Sequence, residues 1–285
     1  MTIRAHAVAL LLILAVRGLS AQDVNILLLA GTMQPIDHVG HHDYQGGILV
    51  LHDCLVQTPG VHVTMSKSGW PADEHELEHA QSVVFYCDGG GKQPYLKNPE
   101  RIAAIDALVA RGVGLVLIHQ AIDHPAEHVS RAIRWMGGSY DPAVSSRGHW
   151  ASSHSEFPAH ALTSGVTPWS INDGWLCDLR FATGLQGITP LVWSSKSAQG
   201  SPSAGNGAIT SWGYERPTGG RSFAFTGLDG HDAWKRAGVR QLVTNGVLWS
   251  ADVAIPPGGA PCVMDDAAID LHLTRRGDFG RLLYR

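Results

Sequence analysis

The four cysteines of this chain, Cys54, Cys87, Cys177 and Cys262, include no CxxC pair, which argues against a zinc knuckle or a thioredoxin motif. Cys54 falls in a helical pattern and Cys87 ends a strand pattern, so mostly free, buried thiols are expected. Basic clusters are missing as well. The 21 Lys and Arg are outnumbered by 25 Asp and Glu, a formal charge of −4, and nucleic acid is not an expected partner. The glycines at 89–91 come without a GxxxxGK[ST] or GxGxxG stretch, so no phosphate cradle is expected. No GxSxG elbow presents a serine nucleophile, and the GxCxG elbow is missing around Cys87. A retaining glycosidase needs two carboxylates about 5 Å apart; Asp88, Asp123 and Asp173 are available, but nothing in the sequence pairs them. After Val16 no apolar run reaches membrane-spanning length.

What the chain does contain begins with a leader pattern. Arg4 supplies a positive start, Ala7–Val16 an apolar stretch and Leu19-Ser20-Ala21 a small-residue cleavage site. Residues 1–21 therefore read as a signal peptide, with Gln22 as the mature start and a periplasmic or secreted location. Losing Arg4 and Arg17 leaves 19 basic against 25 acidic residues, a charge of −6. The 16 His and nine Trp of the 285 residues stand out, and fourteen of the His lie between positions 38 and 231.

Strand patterns fall at Val24–Ala30, Val61–Met65, Ser82–Tyr86, Val113–Ile118, Gly187–Trp193, Ala208–Tyr214 and Arg221–Thr226. Val61–Met65 alternates and belongs near an edge, whereas Val113–Ile118 is uninterrupted, as in a strand covered on both faces. Helical spacing marks His42–Gln57, Glu74–Ala80, a stretch opened by Asn98-Pro99, Asp123–Met136 and Ala233–Ser250. The β-α alternation predicts an α/β fold: a doubly wound, mostly parallel sheet with helices on both faces. From Gly137 to Gly207 the pattern loosens. Residues 22–251 are expected to form the α/β domain, and 252–285 a C-terminal extension with a helix-like piece at Asp265–Leu273.

Polar residues recur just past the strands: His38, His41 and His42 after the first, Asp88 after the third, His119 after the fourth and His231 after the last. In a parallel sheet these positions share the carboxyl edge, where such folds bind ligands. Imidazoles with a carboxylate in a cleft suit Zn²⁺ or another first-row divalent ion. General acid–base work by one His is the alternative. No function is assigned to His52, His62, His75, His79, His124, His128 or His272.

Five stretches in order carry a resemblance: HHD at 41–43, GVGLVLIHQAID at 112–123, WMGGSY at 135–140 followed by His149, HALTSGVTPWSINDGWLCDLRF at 160–181, and TGLDGHDAWKR…LVTNGVLWSA at 226–251. Together they resemble the trehalose-utilisation (ThuA-like) family over roughly residues 24–251. The resemblance implies a flavodoxin-like, class I glutamine amidotransferase-like fold, with His119 in the topological place of the amidotransferase nucleophile. It also implies a carbohydrate substrate and a role in sugar metabolism. One departure stands out: the family's Asp-Glu pair is here Asp173-Gly174, so the role of that Glu is lost or supplied by Asp173 or Glu156.

The expected protein is a metal-dependent enzyme acting on a glycoside or keto-sugar by hydrolysis or elimination. A divalent ion, zinc, is expected on His42, His119 and His231. Asp173 and His149 are the expected catalytic groups, and Trp150, Trp175 and Asp88 the expected sugar contacts. The partner is a small carbohydrate, an oligomer is possible, and no membrane span is expected. The alternative is a sugar-binding module without catalysis, which the missing Glu at Gly174 favours.

Overall fold

The computed structural model describes residues 23–32, 40–194 and 208–273. The expected signal peptide and His38 lie outside the described residues. In chain order, β1 (Val24–Ala30) leads through a loop to α1 (Tyr44–Leu55), then β2 (Val61–Ser66), α2 (His75–His79), β3 (Ser82–Tyr86), α3 (Pro99–Ala110) and β4 (Gly114–Ile118). A 3₁₀ turn (His119–Ile122) precedes α4 (Ala126–Met136) and the short β5 (Gly138–Ser139). Next come β6 (Ser146–His154), β7 (Trp169–Cys177), β8 (Arg180–Phe181), β9 (Ile188–Trp193), β10 (Ile209–Glu215) and β11 (Arg221–Phe225). A second 3₁₀ turn (His231–Lys235), α5 (Ala237–Ser250) and α6 (Asp266–His272) complete the described chain.

The central sheet has the order β2-β1-β3-β4-β11-β10-β9. Its first five strands are parallel, and β10 and β9 run antiparallel at one edge. The alternating β2 is the opposite edge strand, as its pattern predicts. In β1, Ile26, Leu28 and Ala30 face a core layer that includes α1 and α5, while Leu27 and Leu29 face the layer of α3 and α4. Leu27, Leu28 and Leu29 are fully buried, each stabilising the sheet by about 1.5–3 kcal/mol. The fold is thus α/β and doubly wound, as the β-α alternation implies.

Boundaries differ from expectation for local reasons. Asp43 caps α1, its carboxylate accepting the Gly46 N–H at 3.1 Å, so His42 stays outside the helix. The helix expected from Asp123 starts at Ala126, because Pro125 keeps His124 out of the helical region and the chain first makes a 3₁₀ turn. The helix expected from Ala233 is a 3₁₀ turn followed, after extended Arg236, by α5.

The loosely patterned stretch holds an unforeseen hairpin. β6 and β7 pair antiparallel over nine residues each, from Ser146↔Cys177 to His154↔Trp169. Along β6 the burial alternates, with Trp150, Ser152 and His154 inward and His149, Ala151 and Ser153 outward. Small polar residues on both faces hide that alternation from hydropathy. β7 contacts the His119–Ile122 turn and β10, which sets the hairpin beside the carboxyl edge of the sheet.

Candidate functional site

One buried carboxylate organises the carboxyl edge: Asp229, 3 % exposed, in the loop after β11. Its Oδ1 lies 2.8 Å from His42 Nε2 and 3.1 Å from His119 Nε2. Its Oδ2 lies 3.0 Å from His41 Nδ1 and 2.8 Å from His149 Nε2. Burial alone would raise the Asp229 carboxyl, but the imidazoles of His119, His42 and His149 outweigh it and hold the group far below the usual carboxylate range. It is an anion at every physiological pH.

The loops after β1 and β11 are joined by backbone hydrogen bonds, which hold the imidazoles over that anion. The His42 N–H donates to the Asp229 carbonyl at 2.8 Å, and the His231 N–H to the Gly40 carbonyl at 2.7 Å. His42, His119 and Leu228 have φ of 50°, 55° and 71°, a left-handed conformation that non-glycine residues adopt only when the surrounding structure enforces it. At His119 this bend ends β4 abruptly and turns the ring onto Asp229. Its Nδ1–H donates to the Thr226 carbonyl at 2.9 Å, which fixes the tautomer.

The sequence rule for strand ends brought His41, His42, Asp88 and His119 to one edge. Asp88 accepts the Tyr44 hydroxyl at 2.6 Å and lies 3.6 Å from His42 Nδ1. It sits behind His42, as a buried carboxylate, rather than on the open side where a sugar would stack. Burial, and then the Asp88 charge, push the Tyr44 hydroxyl far above its ordinary value, so it stays a donor. His149 reaches the cluster from β6. A cleft of ≈ 330 Å³ opens beside it, lined by His41, His149, Asn172, Asp173, Asp229 and His231 among others. Volume and polarity suit a small polar ligand.

Other expectations are corrected. His231 is not brought to the same carboxylate: its Nε2–H donates to the Ile269 carbonyl of α6 at 2.9 Å, and its Nδ1 faces Asp43 Oδ2 at 3.2 Å. The last core strand contributes Asp229 instead, two residues earlier. Asp173 is not placed to act as a base. Its oxygens accept the N–H groups of Leu228 (2.7 Å), Asp229 (3.1 Å), Gly230 (3.1 Å) and Gly174 (3.0 Å), so its lone pairs are spent on holding the Asp229 loop. Trp150 and Trp175 are 8 % and 1 % exposed. Their indole N–H groups donate to Ser194 Oγ and the Trp150 carbonyl, so both rings are core and offer no face to a sugar.

Position 174 explains part of this arrangement. Gly174 is the cross-strand partner of His149, and a Cβ there would stand 2.8 Å from Asp229 Cβ and 3.1 Å from its Oδ2. The side-chain space left by glycine is where the Asp229 carboxylate lies. Glu156 is exposed, beyond the end of β6. Asp229 obeys the same strand-end rule as His231; the sequence offers both past the last core strand, and strand-end polarity alone does not choose between them.

Comparison with known proteins follows the same lines. No curated protein matches the sequence significantly. Among solved structures, a ThuA-like protein from Parabacteroides merdae is similar at 15% identity, over 82% of this chain and 92% of that one, with a TM-score of 0.58. A ThuA-like protein from Bacteroides uniformis is similar at 12% identity, over 86% and 97% of the two chains, with a TM-score of 0.55. At such identities the likeness is one of fold. The family model described as "ThuA: Trehalose utilisation" matches residues 26–250, a span that includes every residue of the Asp229 cluster. By that match the chain belongs to the ThuA family, whose description is trehalose utilisation.

Proposed function

We propose that the protein is a divalent-metal-dependent enzyme of carbohydrate metabolism that acts on a glycoside or keto-sugar by hydrolysis or elimination. Family membership supports the substrate class. The metal reading rests above all on His119. With Nδ1–H given to the Thr226 carbonyl, the ring turns Nε2 toward Asp229 Oδ1, 3.1 Å away, at a side chain 3 % exposed. Buried Nε2 has no hydrogen-bond partner. Two lone pairs facing each other in a dry site are unfavourable, so a cation or a proton belongs between them. His42 repeats the geometry, its Nε2 meeting the same oxygen at 2.8 Å while the Gln120 amide lies 3.2 Å from that nitrogen.

His42, His119 and Asp229 would hold the ion, a two-imidazole, one-carboxylate set with room for a further ligand. Zinc is the ion proposed. Such an ion, when bound, polarises a carbonyl oxygen or acidifies a water. The chain's own groups do the rest. The Thr226 carbonyl fixes the His119 tautomer, and Asp88 backs His42 from its Nδ1 side, the kind of outer contact that orients a ligating imidazole. Asp173 sets the height of the Asp229 loop. His41 and His149, with side chains 56% and 62% exposed, stand on the open side, at the rim of the cleft where a sugar would enter.

Elemental analysis of untagged protein beside a His119→Ala variant tests this reading. The parent is expected to carry about one equivalent of zinc or more, and the variant little. A parent free of metal after incubation with divalent ions sinks the proposal. Turnover of glycosides and keto-glycosides by the loaded protein, lost on chelation, then separates an enzyme from a sugar-binding module. The export reading is tested by the mass of the mature chain, expected to begin at Gln22.

A further inference from the structure

We infer that the cluster is built for two metal ions bridged by the Asp229 carboxylate, an inference that rests on the metal reading above. The two oxygens are used separately. Oδ1 meets only His42 and His119 within the cluster, at 2.8 and 3.1 Å, and Oδ2 meets only His41 and His149, at 3.0 and 2.8 Å. Each trio has its ligand atoms within 4.8 Å of one another, and no imidazole belongs to both. Around a tetrahedral zinc with bonds of ~2.0–2.2 Å, neighbouring ligand atoms stand roughly 3.3 Å apart. The observed contacts need to open by only a few tenths of an ångström to admit an ion on each oxygen. A carboxylate using one oxygen for each ion spans the separation of about 3.5–4 Å found in two-metal hydrolytic sites.

Charge and burial argue in the same direction. Four imidazoles within 3.1 Å of one carboxylate exceed what a single tetrahedral ion accepts together with that carboxylate. Asp173 under the loop and Asp88 behind His42 add negative charge to offset a second cation. The trios differ in access. The inner side chains, His42 and His119, are 29% and 3% exposed, against 56% and 62% for His41 and His149. The inner ion is therefore the tight one, and the outer ion, facing the cleft, exchanges with solvent.

Chelator-treated, untagged full-length protein is titrated with Zn²⁺ by calorimetry, and the bound metal is counted by elemental analysis. The expected result is about two equivalents in two phases of unequal affinity. His149→Ala, at an exposed position, should abolish the weaker phase and leave about one tight equivalent. His119→Ala should abolish the tight phase. About one equivalent in the parent, kept in His149→Ala and lost in His119→Ala, overturns the pair while leaving the single-metal reading intact. Two equivalents retained by His149→Ala overturn the outer trio. No binding by the parent overturns the metal reading itself.

Discussion

His42, His119 and Leu228, all with positive φ, surround Asp229, and each such non-glycine residue costs on the order of 1–2 kcal/mol. That strain is local to the residues that aim imidazoles and backbone N–H groups at one another. At φ 55° a glycine is more comfortable than an alanine, so His119→Gly should be about 1 kcal/mol more stable than His119→Ala in urea unfolding. Equal stability of the two variants would refute strain at this position. Asp173→Ala should be costlier, by roughly 3 kcal/mol, because it strands N–H groups of Leu228, Asp229 and Gly230 in a buried loop. His119 was legible in the sequence as a polar residue ending an apolar strand. The partition between Asp229 and His231 was not, since which side chain past β11 turns toward the cluster is set by the contacts of Asp43 and Ile269 with His231.

Among the elements, the β6–β7 hairpin matters most, because it carries His149 and, opposite it, Gly174. Gly174→Ala should press on Asp229, cost about 1–3 kcal/mol by overpacking and weaken metal retention measured by dialysis. Unchanged retention would mean that the Asp229 carboxylate does not depend on this gap. Two other elements bury neutral histidines. His124, after the His119–Ile122 turn, sits 2.8 Å from the Tyr95 hydroxyl, and His154 closes β6; burial pushes each of them down to about 4. The unfolded chain takes up these protons near 6.5 and the folded chain only near 4. The stability they confer is complete above the unfolded value and is lost as pH falls from 6.5 toward 4. Between pH 7 and pH 5 each should remove about 2 kcal/mol. His124→Asn should flatten the pH dependence of the urea midpoint; a slope unchanged by that substitution would contradict the assignment.

For the molecule as a whole, the two-sided core keeps all four cysteines buried, with no disulfide among them. Burial pushes the Cys54 thiol up to about 12 and Cys87 well above its ordinary value. A thiol reagent at neutral pH should find essentially none of the four cysteines in the native protein and all four in denaturant. A single fast-reacting native thiol would reopen the case for Cys87 as a nucleophile. Among the described residues no helix is long and apolar enough to cross a membrane. α6 packs on α1, and its Ile269 is fully buried; Ile269→Ala should cost about 2–5 kcal/mol in urea unfolding. The α/β class, the mostly parallel sheet, the edge position of β2 and the gathering of His41, His42, Asp88 and His119 at one edge of the sheet were legible in the sequence alone. Hydropathy period and strand-end polarity are local properties that survive without knowledge of neighbours. Only the tertiary structure decided that Asp229 is the common partner, that Asp173 holds a loop, and that Trp150 and Trp175 are core. Those roles depend on which groups meet between segments far apart in the chain, as Asp173 meets Leu228, and no local pattern records such a meeting.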